Sequence, residues 1–196
     1  MTRHERQRTS SGTRASIASA AARLMAEDGI TDYHHAKKKA ARQLGLPDNA
    51  AFPDNAEVEA ELRAYRSLYQ GEEHEELIAA LRRTALSLLD LLAPFNPYLT
   101  GSVLDGTAGE HSNIDILLFA DSAKEVEIFL LNRSIDVSHV ESRNERVEAV
   151  LRMETDTVDA DLIILPPNLE RVSLKRYDGR PHDRIKADAL RALLDE

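Results

Sequence analysis

Two stretches of this chain hold residue types that do chemistry. The first is YLTGSVLDGTAGEHSNIDILLF, from Tyr98 to Phe119. Gly101 and Ser102 stand together at the end of a short apolar run. Glycine lets backbone approach a phosphate closely, and the serine hydroxyl adds a donor. Gly106 and Gly109 let the chain turn before the next apolar run. Ser112, Asn113 and Asp115 open that run, ahead of Ile116 and Leu117. A carboxylate on a rigid strand beside a phosphate loop suits magnesium, which takes oxygen ligands and shares them with substrate phosphates. The second stretch is VDADLIIL, from Val158 to Leu165. Its Asp159 and Asp161 are two residues apart and so share one face of a strand. Carboxylates there could complete a metal site with Asp115.

The elements that must position these residues follow from periodicity. Before Pro94 the chain reads as helices. Ile17, Ala21, Leu24 and Met25 recur on one face from Ser16 to Asp28, and Gly29 is a stop. Tyr33 to Leu44 is a second, more polar helix. LPDNAAFPDNAE is a loop. Asp54 with Glu57 spells a capping box for a third helix carrying Val58, Leu62, Tyr65 and Tyr69. A fourth runs from about Glu73 to Leu92 on Leu77, Leu81, Ala85 and Leu88. The leucine and tyrosine faces of these last two helices read as core, packed on each other and on the sheet. After Pro97 the period shortens to that of strands: Tyr98 to Ser102, Ile114 to Ala120, Asp136 to Val140, Arg146 to Met153 and Val158 to Leu165. Ser122 and Glu125 cap a short helix between the second and third. YDGR, at 177–180, reads as a turn, and Asp183 to Leu194 as a final helix. The expected fold class is α+β, with a helical region over residues 1–94 and a mixed-sheet domain flanked by helices over residues 95–196.

This arrangement resembles the nucleotidyltransferase superfamily, whose fold also serves DNA polymerase beta and the minimal nucleotidyltransferases. The family pattern is a Gly-Ser, a turn with a further Gly, Asp-x-Asp on the next strand and a third Asp on a later one. Gly101, Ser102 and Gly106 match the first part, HSNIDILLF matches the second through Ser112 and Asp115, and Asp161 matches the third Asp, with Asp159 as the neighbouring option. The resemblance covers Tyr98 to Leu165. It implies a nucleoside triphosphate held by Gly101, Ser102, Gly106 and Ser112, and magnesium held by Asp115 and Asp161, with Asp159 and Asn113 as further ligands. It implies transfer of a nucleotidyl group to a hydroxyl acceptor, which could be a small molecule, a protein or an RNA. Asn113 departs from the pattern, because it stands where the family has its first catalytic Asp. A neutral amide oxygen cannot neutralise a cation, and losing a negative ligand weakens metal binding and transition-state stabilisation. The alternative is therefore a catalytically degenerate nucleotide-binding or interaction module.

Composition narrows the classes. Hydrophobic residues make up 42% and charged residues 30% of 196, which supports a core and a solvated surface. There is no Cys, which excludes disulfides, thiolate zinc sites and cysteine nucleophiles and fits a reducing compartment. No apolar run reaches the length of a membrane span, and the basic start has no apolar stretch behind it, so the cytoplasm is the expected location. Residues 1–47 carry nine Lys/Arg against four Asp/Glu, a net +5 in a chain of net −9, which leaves −14 on the remainder. A basic end on an acidic body admits a nucleic-acid-binding regulator, or a solubilising tail and a solvated helix face. Among the remaining polar residues, Asp105 reads as a turn residue or an extra carboxylate, and His111 as an exposed turn residue or a phosphate contact. Adjacent His34 and His35 splay about 100° apart on a helix and make a poor metal pair. Lys175, Arg176 and Arg180 meet triphosphate oxygens or form a solvated hairpin. A homo-oligomer is compatible with all of these readings.

Overall fold

The computed structural model describes residues 3–47, 50–69, 71–142, 144, 146–155, 157–172 and 183–195, with side chains from residue 12 onward. The fold is α+β. Among the described residues seven α-helices accompany one six-stranded mixed sheet: α1 (Arg3–Glu27), α2 (Tyr33–Gln43), α3 (Asn55–Tyr69), α4 (Gly71–Leu91), β1 (Tyr98–Thr100), α5 (Gly101–Asp105), β2 (Ile114–Phe119), α6 (Ala123–Leu131), β3 (Val137–Val140), β4 (Ala149–Met153), β5 (Ala160–Leu165), β6 (Arg184–Ile185) and α7 (Ala187–Leu194). No helix among them is long and apolar enough to cross a membrane. The chain divides into two compact units. The first is Met1–Glu75 with Gly109–His111, and the second is Glu76–Ala108 with Ser112–Glu196.

The first unit is a helical cluster. Ile17, Ala21, Leu24 and Met25 of α1 are buried with Ala36 and Ala40 of α2 and with Val58 and Leu62 of α3. Local signals set the boundaries. Asp32 accepts a hydrogen bond from the His35 backbone N–H at 2.6 Å. The capping box closes in both directions, the Glu57 N–H donating to Asp54 at 2.8 Å and the Asp54 N–H donating to Glu57 at 2.7 Å. Gly29 ends α1 with φ +65°, and a Cβ there would meet the His111 ring at 2.7 Å. His111 is exposed on the surface and lies against that glycine. Two sequence expectations change here. Helix α1 starts at Arg3 rather than Ser16, because its polar N-terminal part has no apolar period to reveal it. Tyr69 is 72% exposed and is not core, although Val58 and Leu62 of the same helix are.

The second unit is built on the sheet, in the order β3-β4-β5-β2-β1-β6. Only β2 and β5 run parallel; every other neighbouring pair is antiparallel. Strand alternation separates two faces. Ile114, Ile116, Leu118, Leu151, Leu162 and Ile164 point to one side, where they are buried with residues of α4, α6 and α7. Leu117, Phe119 and Leu165 point to the other and form a small cluster with Tyr98 and Ile163. Two boundaries depart from the sequence reading. The first strand stops at Thr100, because Gly101 takes φ +72° and starts the short helix α5. The tail expected to be wholly helical contributes β6 before α7. The expected turn at 177–180 and the cations Lys175, Arg176 and Arg180 lie outside the described residues.

Candidate functional site

The motif residues meet on the less covered face of the sheet. In register across the strands, one row reads Ser138, Arg152, Asp161, Asp115, Thr100 and Arg184. Because β2 and β5 are parallel, Asp115 and Asp161 lie directly side by side. Neighbouring strands are about 4.8 Å apart, so two like charges here need compensation. Backbone pairing extends one step further, the Ile114 N–H donating to the Asp159 carbonyl at 2.9 Å. Asp159 therefore precedes β5 on the same face as Asp161, half-buried.

Gly101 fixes the position of Asp115. A Cβ at 101 would fall 2.2 Å from the Asp115 Oδ2, so the carboxylate occupies the space that glycine leaves. Ser102 holds the following turn by its backbone. Its carbonyl accepts from the Gly106 N–H, from Thr107 at 2.8 Å and from Ala108 at 3.0 Å. Gly106 enables that turn with φ +72°. Asp105 is the last residue of α5, and Ser112, half-buried, precedes Asn113 at the entry to β2.

The two carboxylates have different surroundings. The Asp161 Oδ1 accepts from the Arg152 Nε at 2.8 Å, and its Oδ2 accepts from an Arg152 terminal nitrogen at 2.9 Å. The Asn113 side-chain amide also donates to Oδ2, at 3.0 Å. Burial pushes the Asp161 carboxyl up, but the hydrogen bonds from Arg152 and Asn113 outweigh it and hold the group below the usual carboxylate range. Asp115 goes the other way. Burial, then the adjacent Asp161 charge, raise it to about 7, and Arg152 offsets only part of the rise. The row thus holds one ionised acid and one that is about half protonated at neutral pH.

This donor set does not suit a pair of magnesium ions. Asp161 offers both oxygens to a guanidinium and one of them also to an amide. Asn113 directs its N–H₂ toward a carboxylate, the orientation its neighbour demands, since the reverse would set oxygen against oxygen. Among the described residues no group of three or more His, Cys, Asp or Glu side chains is placed to hold a metal ion.

Sequence reasoning missed four members of the row: Ser138 at its β3 end, and Arg152, Thr100 and Arg184. Arg152 is a lone cation in the apolar strand AVLRM, and its alternation with Leu151 and Met153 was the available signal. Thr100 is buried, and its hydroxyl donates to the Asp183 carbonyl at 2.7 Å. Arg184 lies over the rings of Tyr98 and Phe119, 4.9 and 5.2 Å from their centroids, and donates to the Glu170 carbonyl. Nothing local marks a two-residue strand at that position. The sequence matches no protein-family model and no curated protein.

Proposed function

We propose that the chain is a nucleotidyltransferase-like module that binds a nucleoside triphosphate and does not carry out metal-dependent transfer. The observation that carries this reading is the Asn113 amide donating to Asp161 at 3.0 Å. The position that should supply a metal's negative ligand supplies a hydrogen-bond donor, and it spends that donor on the next candidate ligand. Support for nucleotide binding comes from the Gly101–Ser102 junction between β1 and α5, and from Arg152, whose guanidinium lies beside the carboxylate pair.

A second reading keeps magnesium-dependent nucleotidyl transfer to a hydroxyl. It is favoured by the in-register Asp115–Asp161 pair. Isothermal titration calorimetry with each nucleoside triphosphate, in magnesium and in chelator, separates the two. Equal affinity under both conditions, with no pyrophosphate released, is the expected result. Magnesium-dependent binding that Asp115→Ala abolishes, together with pyrophosphate release, would favour the enzyme. No binding of any triphosphate under either condition would overturn both.

A further inference from the structure

We infer that Arg152 stands in for a metal cation in this row, so that the carboxylate pair is closed to divalent cations by a built-in guanidinium. The inference shares Asp115 and Asp161 with the proposed function but does not need a nucleotide to be bound. Three observations combine. First, Arg152 stands directly opposite Asp161 in the antiparallel β4–β5 register, so the backbone itself sets the pair. Second, the contact is two-pronged, 2.8 and 2.9 Å to the two oxygens, the geometry in which arginine binds a carboxylate best. Third, the pair is well enclosed, with the Asp161 side chain 17% and the Arg152 side chain 34% exposed.

The consequence is competitive. Magnesium requires near-octahedral oxygen ligation at about 2.0–2.1 Å and sheds water reluctantly. To reach Asp161 it would have to displace a fixed guanidinium and approach that positive charge closely. Asn113 deepens the exclusion, because its donor meets the same Asp161 oxygen. Arg152 carries one positive charge, which offsets one of the two adjacent acids and so reduces the negative charge left to draw in a dication. Restoring an acid at 113 and removing the cation at 152 should together convert the row into three carboxylates on two parallel strands, a set that a dication would favour.

The test is titration of the full chain with Mn²⁺ alone, following free ion by electron paramagnetic resonance. Wild type, Asp115→Ala, Arg152→Lys and the double variant Asn113→Asp/Arg152→Ala are compared, with circular dichroism confirming the fold. Wild type, Asp115→Ala and Arg152→Lys should all leave millimolar Mn²⁺ free. The double variant should bind one ion per chain at least about tenfold more tightly, because each added carboxylate and each removed positive charge favours the ion. If the double variant does not fold, Asn113→Asp/Arg152→Gln takes its place. A wild-type protein that binds one Mn²⁺ per chain, with loss in Asp115→Ala, overturns the inference. So does a folded double variant with no gain. Triphosphate affinity measured in chelator on the same wild-type preparation reports separately on the proposed function.

Discussion

The two faces of the sheet are made from the same strands and differ in everything else. On one face, Ile116, Leu118, Leu162 and Ile164 are fully buried against helices. On the other, the same strands carry Asp115 and Asp161 beside a cluster of only three buried apolar residues. Alternation with period two is enough to separate stability from chemistry within a single strand. Asp115 lies between Ile114 and Ile116, and Asp161 between Ala160 and Leu162. The apolar neighbours hold the strands so firmly that two acids can be kept adjacent, with the cost spread over a well-filled core.

Substitutions on each face break that comparison to different degrees. The largest effect belongs to the covered face. Leu162→Ala should cost about 2–5 kcal/mol, the range for an enclosed leucine, read as a lower midpoint in urea unfolding. Gly101→Ala comes next, at about 2–3 kcal/mol. It forces alanine to φ +72° and sets its Cβ against the Asp115 carboxylate. Adding Asp115→Ala should recover part of that loss but not the backbone share, and a double-mutant cycle measures the division.

The acids themselves should respond to pH in opposite senses. The folded-state value of Asp115 is raised to about 7, above its unfolded value. The stability it contributes is therefore full below about pH 4 and is lost as pH rises through 7. Asp115→Asn mimics the protonated form. It should leave stability unchanged in acid and raise it by up to about 4 kcal/mol above pH 8, measured by thermal melts across pH. Asp161 is depressed, so its pairing contributes above its unfolded value and is lost as pH falls. Arg152→Ala should cost about 1–2 kcal/mol near pH 7 and progressively less as pH falls below the usual carboxylate range. At the small end, Leu131→Ser on α6, 65% exposed, should change stability by less than about 0.5 kcal/mol.

Much of this was legible in residue types. Asp54 and Glu57 announced their capping box, and the leucine spacing of α4 predicted its buried stripe. Asp115 and Asp161 were placed on strands by the apolar runs that follow them. What was not legible depends on pairing between distant segments. The family resemblance favoured Asp161 over Asp159, but the sequence did not show which of the two faces Asp115. The parallel register of β2 and β5 sets Asp161 there, with Asp159 one pleat earlier on the same face. Arg152 carried a local signal, but its role depends on β4 lying antiparallel to β5, which no local period encodes. Tyr69 failed for the opposite reason. Its spacing fits a buried stripe, but it stands at the last turn of α3, past the buried part of that helix.

The central claim is that the paired acids are compensated from within the protein and not by a divalent cation. The direct measurement is the titration of the Asp115 carboxyl carbon by nuclear magnetic resonance, with and without millimolar magnesium. The account predicts a midpoint near 7 that magnesium leaves in place. A midpoint that falls by more than about one pH unit when magnesium is added would show that a cation reaches the pair, and would contradict it.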